Sequence, residues 1–290
     1  MGYRDFAGSG VVHATGGSAA LAAALMTGPR TGRFDTKGHS NHIQPHSIPQ
    51  VALGAFIFLF GAIAFNTGSN LTVSNAKDGR VISLVCLNTL ICVASATSAS
   101  LLHQRYCTAS GRSLRNWNFI NMLNGSFTGM ASFLAFLHGI SGCYLRRMRS
   151  ISTLGRIRRR LSWLLCVSPI DDATNCVPVQ LGGGYFGVIA ASVFGQNGII
   201  LNPSKSSAYG LLVNTFGGAI IIIFSFSSIL LLYAVLRYFN LHRVTGQEEK
   251  LGLDLAIHNQ AAYHTDENEI KRIVSIEPKS KTFTDYTLAK

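Results

Sequence analysis

His13 lies in the stretch DFAGSGVVHATGG, where small and apolar residues surround it and continue through SAALAAALM. An imidazole can accept and release a proton near neutral pH. An ionisable side chain in an apolar helix is costly, so this position is a candidate functional site with a hydrogen-bonding partner elsewhere. The residues leave two alternatives open: His13 handles protons, or it is a neutral imidazole that is hydrogen-bonded to a neighbouring helix.

Three further histidines, His39, His42 and His46, lie close together in the loop sequence TGRFDTKGHSNHIQPHSIP. No cysteine or other ligand accompanies them, so we predict no metal site. The sequence GGGYFG, which starts at Gly182, satisfies G-x-G-x-x-G but lies in an apolar helical pattern without a preceding strand. Because no nucleophile with a base and no phosphate loop is present either, we predict no enzyme and no cofactor.

The composition predicts a membrane protein of the all-α class. Hydrophobic residues make up 48% of the 290 residues and charged residues only 13%. Apolar runs of the length that spans a bilayer as a helix lie near residues 11–26, 48–65, 81–102, 119–140, 177–200 and 210–239. The net charge of +12 comes from residues in connecting segments and the tail, so we interpret it as membrane topology rather than nucleic-acid binding.

Residues 151–168 form a doubtful span. They carry Arg156, Arg158, Arg159 and Arg160 near the middle, and a central arginine costs roughly 2.5 to 3.5 kcal/mol on the insertion scale. We therefore expect this segment to resist insertion. Residues 241–290 are polar, and they predict a C-terminal tail that follows a membrane domain of residues 1–240.

The N-terminal motif resembles the signature of the ammonium transporter (Amt/Mep/Rh) family. The matching positions are Asp5-Phe6-Ala7-Gly8-Ser9, Val12, Gly16-Gly17, Ala20-Leu21, Leu25-Met26, Gly28 and Arg30. The similarity continues through PHSIPQVALGAFIFLFGAIAFNTGSN, LNGSFTGMAS, IDDATNCVPVQLGGGYFGVIA and GLDLAIHNQAAY. It implies a multi-pass helical fold of two inverted repeats and a final helix, assembled as a trimer with a pore in each subunit. Aligned in this way, the chain begins at the fifth helix, so we expect an incomplete inverted repeat.

The resemblance also implies a pore site. In the family, two histidines face each other across an apolar pore, where they relay a proton from the ammonium ion. His13 matches the first histidine, whereas Gln180 stands where the second is expected. A carboxamide forms hydrogen bonds but does not take up a proton near neutral pH, so we expect an interrupted relay.

Further residues follow from the same resemblance. Ser69 matches an outer hydroxyl that accepts a hydrogen bond from ammonium, with the alternative that it satisfies backbone groups at a helix end. Ala62 replaces the tryptophan expected at this wall, which weakens cation–π recruitment. We expect the two aspartates before the helix of Gln180 to cap its start. The resemblance thus implies an outer ammonium site of Asp5, Phe65 and Ser69, with the alternative that Asp5 acts structurally by accepting hydrogen bonds that shape the outer vestibule. The structural positions are Asn66, Gly68, Asp171 and Asp172.

Two functions are compatible with these residues. The first is a transporter or channel for NH4+/NH3, and the second is a non-transporting interaction or regulatory subunit of an ammonium transporter oligomer. Both place the chain in a lipid bilayer, by resemblance the plasma membrane, in a homo- or heterotrimer with family members. The resemblance further implies a cytosolic C-terminal tail.

Overall fold

The computed structural model describes residues 2–41, 43–106, 117–133, 168 and 170–260. These residues form eight helices and no strand, apart from an isolated bridge between Phe34 and Ser40. The predicted all-α membrane class is thereby confirmed. In chain order the helices are α1 (Ser9–Thr27), α2 (Ile48–Gly68), α3 (Ala76–Tyr106), α4 (Phe119–Phe133), α5 (Val177–Phe194), α6 (Lys205–Tyr238), α7 (Gly246–Leu251) and α8 (Leu253–Ala256).

Five of the described helices, α1, α2, α3, α5 and α6, are long and apolar enough to cross a membrane. Their ends differ from those that hydropathy predicts. Helix α5 ends at Phe194 and not at residue 200, because Gly195 turns to an extended backbone with ψ 168°. Helix α6 begins at Lys205 and not at residue 210, because the Ser204 side chain accepts a hydrogen bond from the Ser207 N–H and so starts the helix earlier.

The predicted fourth span and the arginine-rich segment are described only in part. Helix α4 covers residues 119–133 of the predicted span 119–140. Of residues 151–168 only Ser168 is described, so the four central arginines lie outside the described part of the chain. That prediction therefore stays a prediction.

Helices α1, α5 and α6 pack together around the N-terminal segment. Helices α1 and α5 run antiparallel, since Gly17 lies against Leu181 whereas Gly10 lies against Val188. Helix α6 runs parallel to α1: the Asn214 side chain hydrogen-bonds to the Arg4 backbone at one end. Further along, the Ser225 hydroxyl donates to the Thr15 carbonyl at 2.9 Å.

Helices α3 and α4 run antiparallel and pack through small residues: Gly125 lies against Ser100, and Gly129 lies against Ala96. Helix α4 runs parallel to α5, because Gly183 lies against Thr128 and Gly187 lies against Ser132 farther along both helices. Small residues at such contacts let helix backbones approach closely in lipid, where no hydrophobic effect drives association.

These directions define two ends of the bundle. The Asp5 end contains the starts of α1, α3 and α6 and the ends of α2, α4 and α5, because α3 runs antiparallel to both α2 and α4. The Arg30 end contains the loop after α1, the end of α3, the start of α5 and the residues after α6. The chain therefore leaves α4 at the Asp5 end and enters α5 at the Arg30 end, so the residues that flank the undescribed stretch lie at opposite ends.

Candidate functional site

The start of α1 is held by Asp5. Its carboxylate accepts hydrogen bonds from the backbone N–H groups of Ser9 at 2.7 Å, Gly10 at 2.8 Å and Val11 at 2.9 Å. The chain enters the helix through Gly8, whose φ of 89° favours glycine. A carboxylate at this position also compensates the partial positive charge of a helix N-terminus. Asp5 therefore acts on backbone groups.

The segment that carries Asp5 is fixed by Asn214 of α6. The side chain of Asn214 is fully buried and accepts from the Arg4 N–H at 2.9 Å. It donates to the Arg4 carbonyl at 3.0 Å and to the Val188 carbonyl at 2.9 Å. One side chain thus joins the N-terminal segment, α5 and α6. We did not predict this residue; a lone asparagine inside the apolar run of α6 was the signal that could have found it.

The start of α5 is held in a similar way by Asp172. Its carboxylate accepts hydrogen bonds from the backbone N–H groups of Cys176 at 2.9 Å and Val177 at 2.7 Å. Burial raises the pKa of Asp172 above the ordinary aspartate value, although these N–H groups oppose the shift. The prediction of an acidic cap thus describes the geometry of Asp172.

Asp171 does not share this role, which corrects the expectation that both aspartates cap α5. Its carboxylate accepts from the Arg30 side chain at 2.6 and 2.9 Å and from the Arg30 N–H at 3.1 Å. The Arg33 guanidinium lies 3.2 Å away. Burial works against ionisation, but Arg30 outweighs it and holds the pKa of Asp171 below its usual range. Asp171 therefore ties the start of α5 to the chain that leaves α1.

His13 and Gln180 meet where α1 and α5 cross. The Nδ1 atom of His13 is within hydrogen-bonding distance of the Gln180 Oε1 atom. An amide oxygen only accepts hydrogen bonds, so the Nδ1 atom of His13 carries the proton when the Gln180 amide is oriented with its oxygen toward the ring. In a neutral imidazole the Nε2 atom then has no proton and keeps its lone pair. The pair combines one group that can accept a proton with one group that orients it.

The two residues lie in equivalent local structures. His13 stands eight residues after Asp5, and Gln180 stands eight residues after Asp172. Each lies in a π-helical turn at the start of its helix, Ser9–Ala14 in α1 and Val177–Gly182 in α5. Such turns are rare and are found frequently at functional sites.

Two of the three residues expected at the outer site, Phe65 and Ser69, lie at the end of α2, whereas Asp5 lies before α1. The Ser69 hydroxyl donates to the Phe65 carbonyl at 3.0 Å, which is the geometry of the alternative in which it satisfies a helix end. Asn66 is buried and donates to the Thr89 hydroxyl at 3.1 Å, and Phe65 is 50% exposed. Gly68 is the last residue of α2. Among the described residues, no hydrogen bond joins this group to His13.

The loop histidines have polar partners within the loop region. The Nδ1 atom of His39 lies 3.0 Å from the Asp35 carboxylate. The Nε2 atom of His46 lies 3.2 Å from the Gln50 Oε1 atom. His42 lies outside the described part of the chain. The described residues include no cluster of three or more candidate metal ligands.

The tail returns to the end of α1 through polar contacts of Arg243 and Glu249. The Thr31 N–H donates to Glu249 at 2.8 Å, and the Arg243 guanidinium donates to Glu249 at 2.7 Å and to the Thr27 carbonyl at 3.2 Å. Burial alone would raise the pKa of Glu249, but the Arg243 guanidinium and the Thr31 N–H together outweigh it and hold this pKa below its usual range. The end of α1, the start of α5 and the residues after α6 therefore form one polar cluster.

Residues 1–263 match the model of the Ammonium Transporter Family. The chain is 31% identical over 283 residues to putative ammonium transporter 1 of Caenorhabditis elegans, and the match covers 90% of this chain and 50% of that protein. It is 32% identical over 278 residues to ammonium transporter Amt2 of Archaeoglobus fulgidus, covering 90% of this chain and 55% of that protein. The chain thus spans about half the length of these relatives.

Solved structures are similar in fold. A structure described as a Sensor Amt protein superposes with a TM-score of 0.77 at 29% identity, covering 89% of this chain and 60% of that one. Mep2 of Candida albicans superposes with a TM-score of 0.71 at 23% identity, covering 96% and 58%. The family match over most of the chain agrees with the predicted resemblance, and this chain belongs to the ammonium transporter family.

Proposed function

We propose that this chain takes part in the passage of NH4+/NH3 across a membrane, with His13 as the group that accepts the proton of the ammonium ion. The observation that carries the proposal is the contact between His13 of α1 and Gln180 of α5. Family membership, which the match over residues 1–263 establishes, supplies the class of substrate.

The chemistry of the pair supports this role. An ammonium ion loses its hydration in an apolar path at great cost, whereas NH3 is uncharged and crosses more easily. The Nε2 lone pair of His13 can accept the proton that separates the two species. Gln180 holds the imidazole in that state by accepting the Nδ1 proton, but it cannot receive a proton itself. Proton handling therefore rests on His13 alone, and we expect weak conduction.

Residues at the Asp5 end complete the proposal. Phe65 and Ser69 lie at the end of α2 and supply an aromatic face and a hydroxyl near the entrance. Asp5 acts by shaping the start of α1 through its three backbone hydrogen bonds. With Ala62 in place of an aromatic residue, cation–π attraction at this wall comes from Phe65.

Uptake by the purified 290-residue chain in liposomes tests the proposal. Radiolabelled methylammonium and ammonium are the probes, and His103→Ala, which removes a histidine from α3, is the matched control for His13→Ala. We expect low uptake that His13→Ala abolishes and His103→Ala leaves unchanged. Gln180→His should raise uptake by about tenfold or more, because a second group can then handle the proton.

Two results would each contradict one part of this proposal. Uptake that survives His13→Ala would exclude it as the proton acceptor. Strong growth on low ammonium of cells that lack their own ammonium transporters, supported by the unsubstituted chain, would show that Gln180 does not limit conduction.

The second candidate function is a non-transporting subunit that regulates an ammonium transporter oligomer. Two features favour it: Gln180 does not titrate, and the tail presents the exposed side chains of Leu253 and Ile257 beside the cluster at the end of α1. Its partners would be copies of this chain or other family members in a trimer. Deleting the residues after Asn240 should then weaken co-purification with another family member. Unchanged co-purification would assign the association to the membrane helices.

We also propose a plasma-membrane location with the Arg30 end and the tail in the cytosol. Basic residues favour the cytosolic side of membrane proteins. The Arg30 end carries the described residues Arg30, Arg33, Lys37, Arg105, Arg237, Arg243 and Lys250. The Asp5 end carries Arg4, Lys77, Arg80 and Lys205. A tag after residue 290 should be accessible only in permeabilised cells, and labelling of intact cells would reverse the orientation.

A further inference from the structure

The helices of His13 and Gln180 cross at two glycines. Gly17 stands twelve residues after Asp5, and Gly184 stands twelve residues after Asp172. Each glycine follows the π-helical turn of its own helix and lies against the π-helical turn of the other helix. The crossing is therefore reciprocal.

Gly17 leaves no room for a side chain. A Cβ atom at this position would overlap the Leu181 backbone N–H and would lie 2.7 Å from the Leu181 Cα atom. These are backbone atoms of the residue that follows Gln180, so no side-chain rotation relieves the overlap. A methyl group here must move the turn that carries Gln180 away from α1.

Gly184 has the same relation to the turn of His13. A Cβ atom there would overlap the Ser9 carbonyl, would lie 2.6 Å from the Ala14 backbone nitrogen and would lie 3.1 Å from the Cβ atom of His13. The overlap again involves backbone on both sides of the functional residue. A methyl group at residue 184 must therefore displace His13 itself.

The neighbouring Gly16 differs. It is exposed, and a Cβ atom at this position would meet nothing within 4 Å. Gly16 and Gly17 both lie in α1, so replacing either one by alanine changes the helix propensity by the same amount. The two substitutions therefore differ only in what the added methyl group contacts. Gly16→Ala is therefore a matched control.

We propose that Gly17 and Gly184 are positioning residues that set the separation at which His13 and Gln180 form their hydrogen bond. The significance for conduction rests on the proposed function, whereas the geometric claim does not. Hydrogen bonds weaken steeply with distance and misalignment, so the two backbone contacts fix the imidazole against the carboxamide from both sides.

The test measures the His13 imidazole directly. The full chain, labelled with 15N-histidine and reconstituted in lipid, is compared by NMR with Gly17→Ala, Gly184→Ala and Gly16→Ala, with His13→Ala used to assign the signal. We expect Gly17→Ala and Gly184→Ala to shift the Nδ1 signal in the direction that Gln180→Leu produces, and Gly16→Ala to leave it unchanged. Methylammonium uptake, where present, should fall on the order of tenfold or more in the same two variants.

A second measurement requires no glycine substitution and remains available if an alanine prevents folding. In the unsubstituted chain, backbone contacts on both sides predict one hydrogen-bonded Nδ1–H signal for His13 that Gln180→Leu removes. Two exchanging signals, or a signal insensitive to Gln180→Leu, would overturn the proposal. Folded Gly17→Ala and Gly184→Ala chains with an unchanged His13 signal would overturn it as well.

The NMR and uptake readouts also separate this inference from the proposed function. A shifted His13 signal in chains that transport no ammonium would support the positioning role and refute the transport role. Transport that depends on His13, together with an unchanged His13 signal in both alanine variants, would support the transport role and refute the positioning role.

Discussion

Helices α1 and α5 share one design but differ in the polar residue that it presents. In each helix an aspartate holds the first turn, a π-helical segment follows, and a polar side chain stands eight residues after the aspartate. That side chain is a titratable imidazole in α1 and an amide in α5. We call the aspartate and the π-helical turn that follows it the frame of each helix. The comparison shows that the two frames determine where the polar side chains meet, whereas the side chains determine what chemistry is available there.

The frames also differ in how firmly they are held. Asp5 accepts three backbone hydrogen bonds and its neighbour Arg4 is held by Asn214. Asp172 accepts two, and its neighbour Asp171 is held by Arg30. The residue before Asp5 is therefore held by the neutral amide of Asn214, whereas the residue before Asp172 is held by an ion pair with Arg30. This difference gives the two helices different sensitivities to mutation and pH.

The largest expected effect is at Asp5. Asp5→Ala leaves three N–H groups without their acceptor and should lower the free energy of unfolding by about 3 kcal/mol. Denaturant or thermal unfolding in detergent measures the change, with Asp254→Asn in the exposed tail as the control. A change below about 1 kcal/mol would show that water replaces the carboxylate.

Asp172→Ala should cost less, about 2 kcal/mol, because it removes two N–H partners and not three. The same unfolding assay measures it. Equal losses for Asp5→Ala and Asp172→Ala would mean that the number of backbone hydrogen bonds does not determine the difference between the two frames.

The adjacent aspartates predict opposite dependences on pH. The lowered pKa of Asp171 gives stability that is present at neutral pH and is lost as the pH falls through the folded-state value. The raised pKa of Asp172 gives stability that is present at low pH and is lost as the pH rises through its folded-state value. Asp171→Asn should therefore flatten the acid side of a plot of Tm against pH, and Asp172→Asn should flatten the side above the usual aspartate range. Identical plots of Tm against pH for Asp171→Asn and Asp172→Asn would refute the opposite pKa shifts of the two aspartates.

The tail is expected to affect the α1 end by about 1 kcal/mol, the scale of a partly exposed ion pair. Glu249→Gln weakens the contacts with Arg243 and Thr31. Hydrogen exchange should then increase at residues 27–31, with Asp254→Asn as the control. An increase at the start of α5 of the same size would show that the tail acts on both frames.

The smallest effect is expected for an exchange of the two polar residues. In the double variant His13→Gln with Gln180→His, equivalent frames should preserve the contact and leave the free energy of unfolding within about 0.5 kcal/mol. The 15N signal of the new histidine reports whether its Nδ1–H is still bonded. A large loss of stability would show that the two frames are not interchangeable.

The sequence was sufficient to predict the membrane class and the partners at the crossing. Long apolar runs indicate spanning helices because only helices satisfy their backbone groups in lipid. His13 stands out because an ionisable residue in such a run is costly. The match to a family motif then indicated Gln180 as the residue opposite it. These predictions needed only local composition and alignment.

Other features depend on the packed structure and were not predictable. Hydropathy does not detect the hydroxyl of Ser204 that starts α6 or the extended Gly195 that ends α5. Asp171 and Asp172 are identical and adjacent in the sequence, but their side chains point in different directions. Asp171 contacts Arg30, whereas Asp172 contacts the start of α5. The roles of Gly17 and Gly184 likewise depend on how two distant helices cross.

Asn214 has a consequence for biosynthesis. Its partner Arg4 lies 210 residues earlier in the chain, so a ribosome that adds 5 to 20 residues per second makes the two residues on the order of 10 to 40 s apart. During this interval the peptide groups of Arg4 have no asparagine to bind them. The segment that leads into α1 therefore reaches its final form only after α6 has been synthesised, although α1 itself is made first.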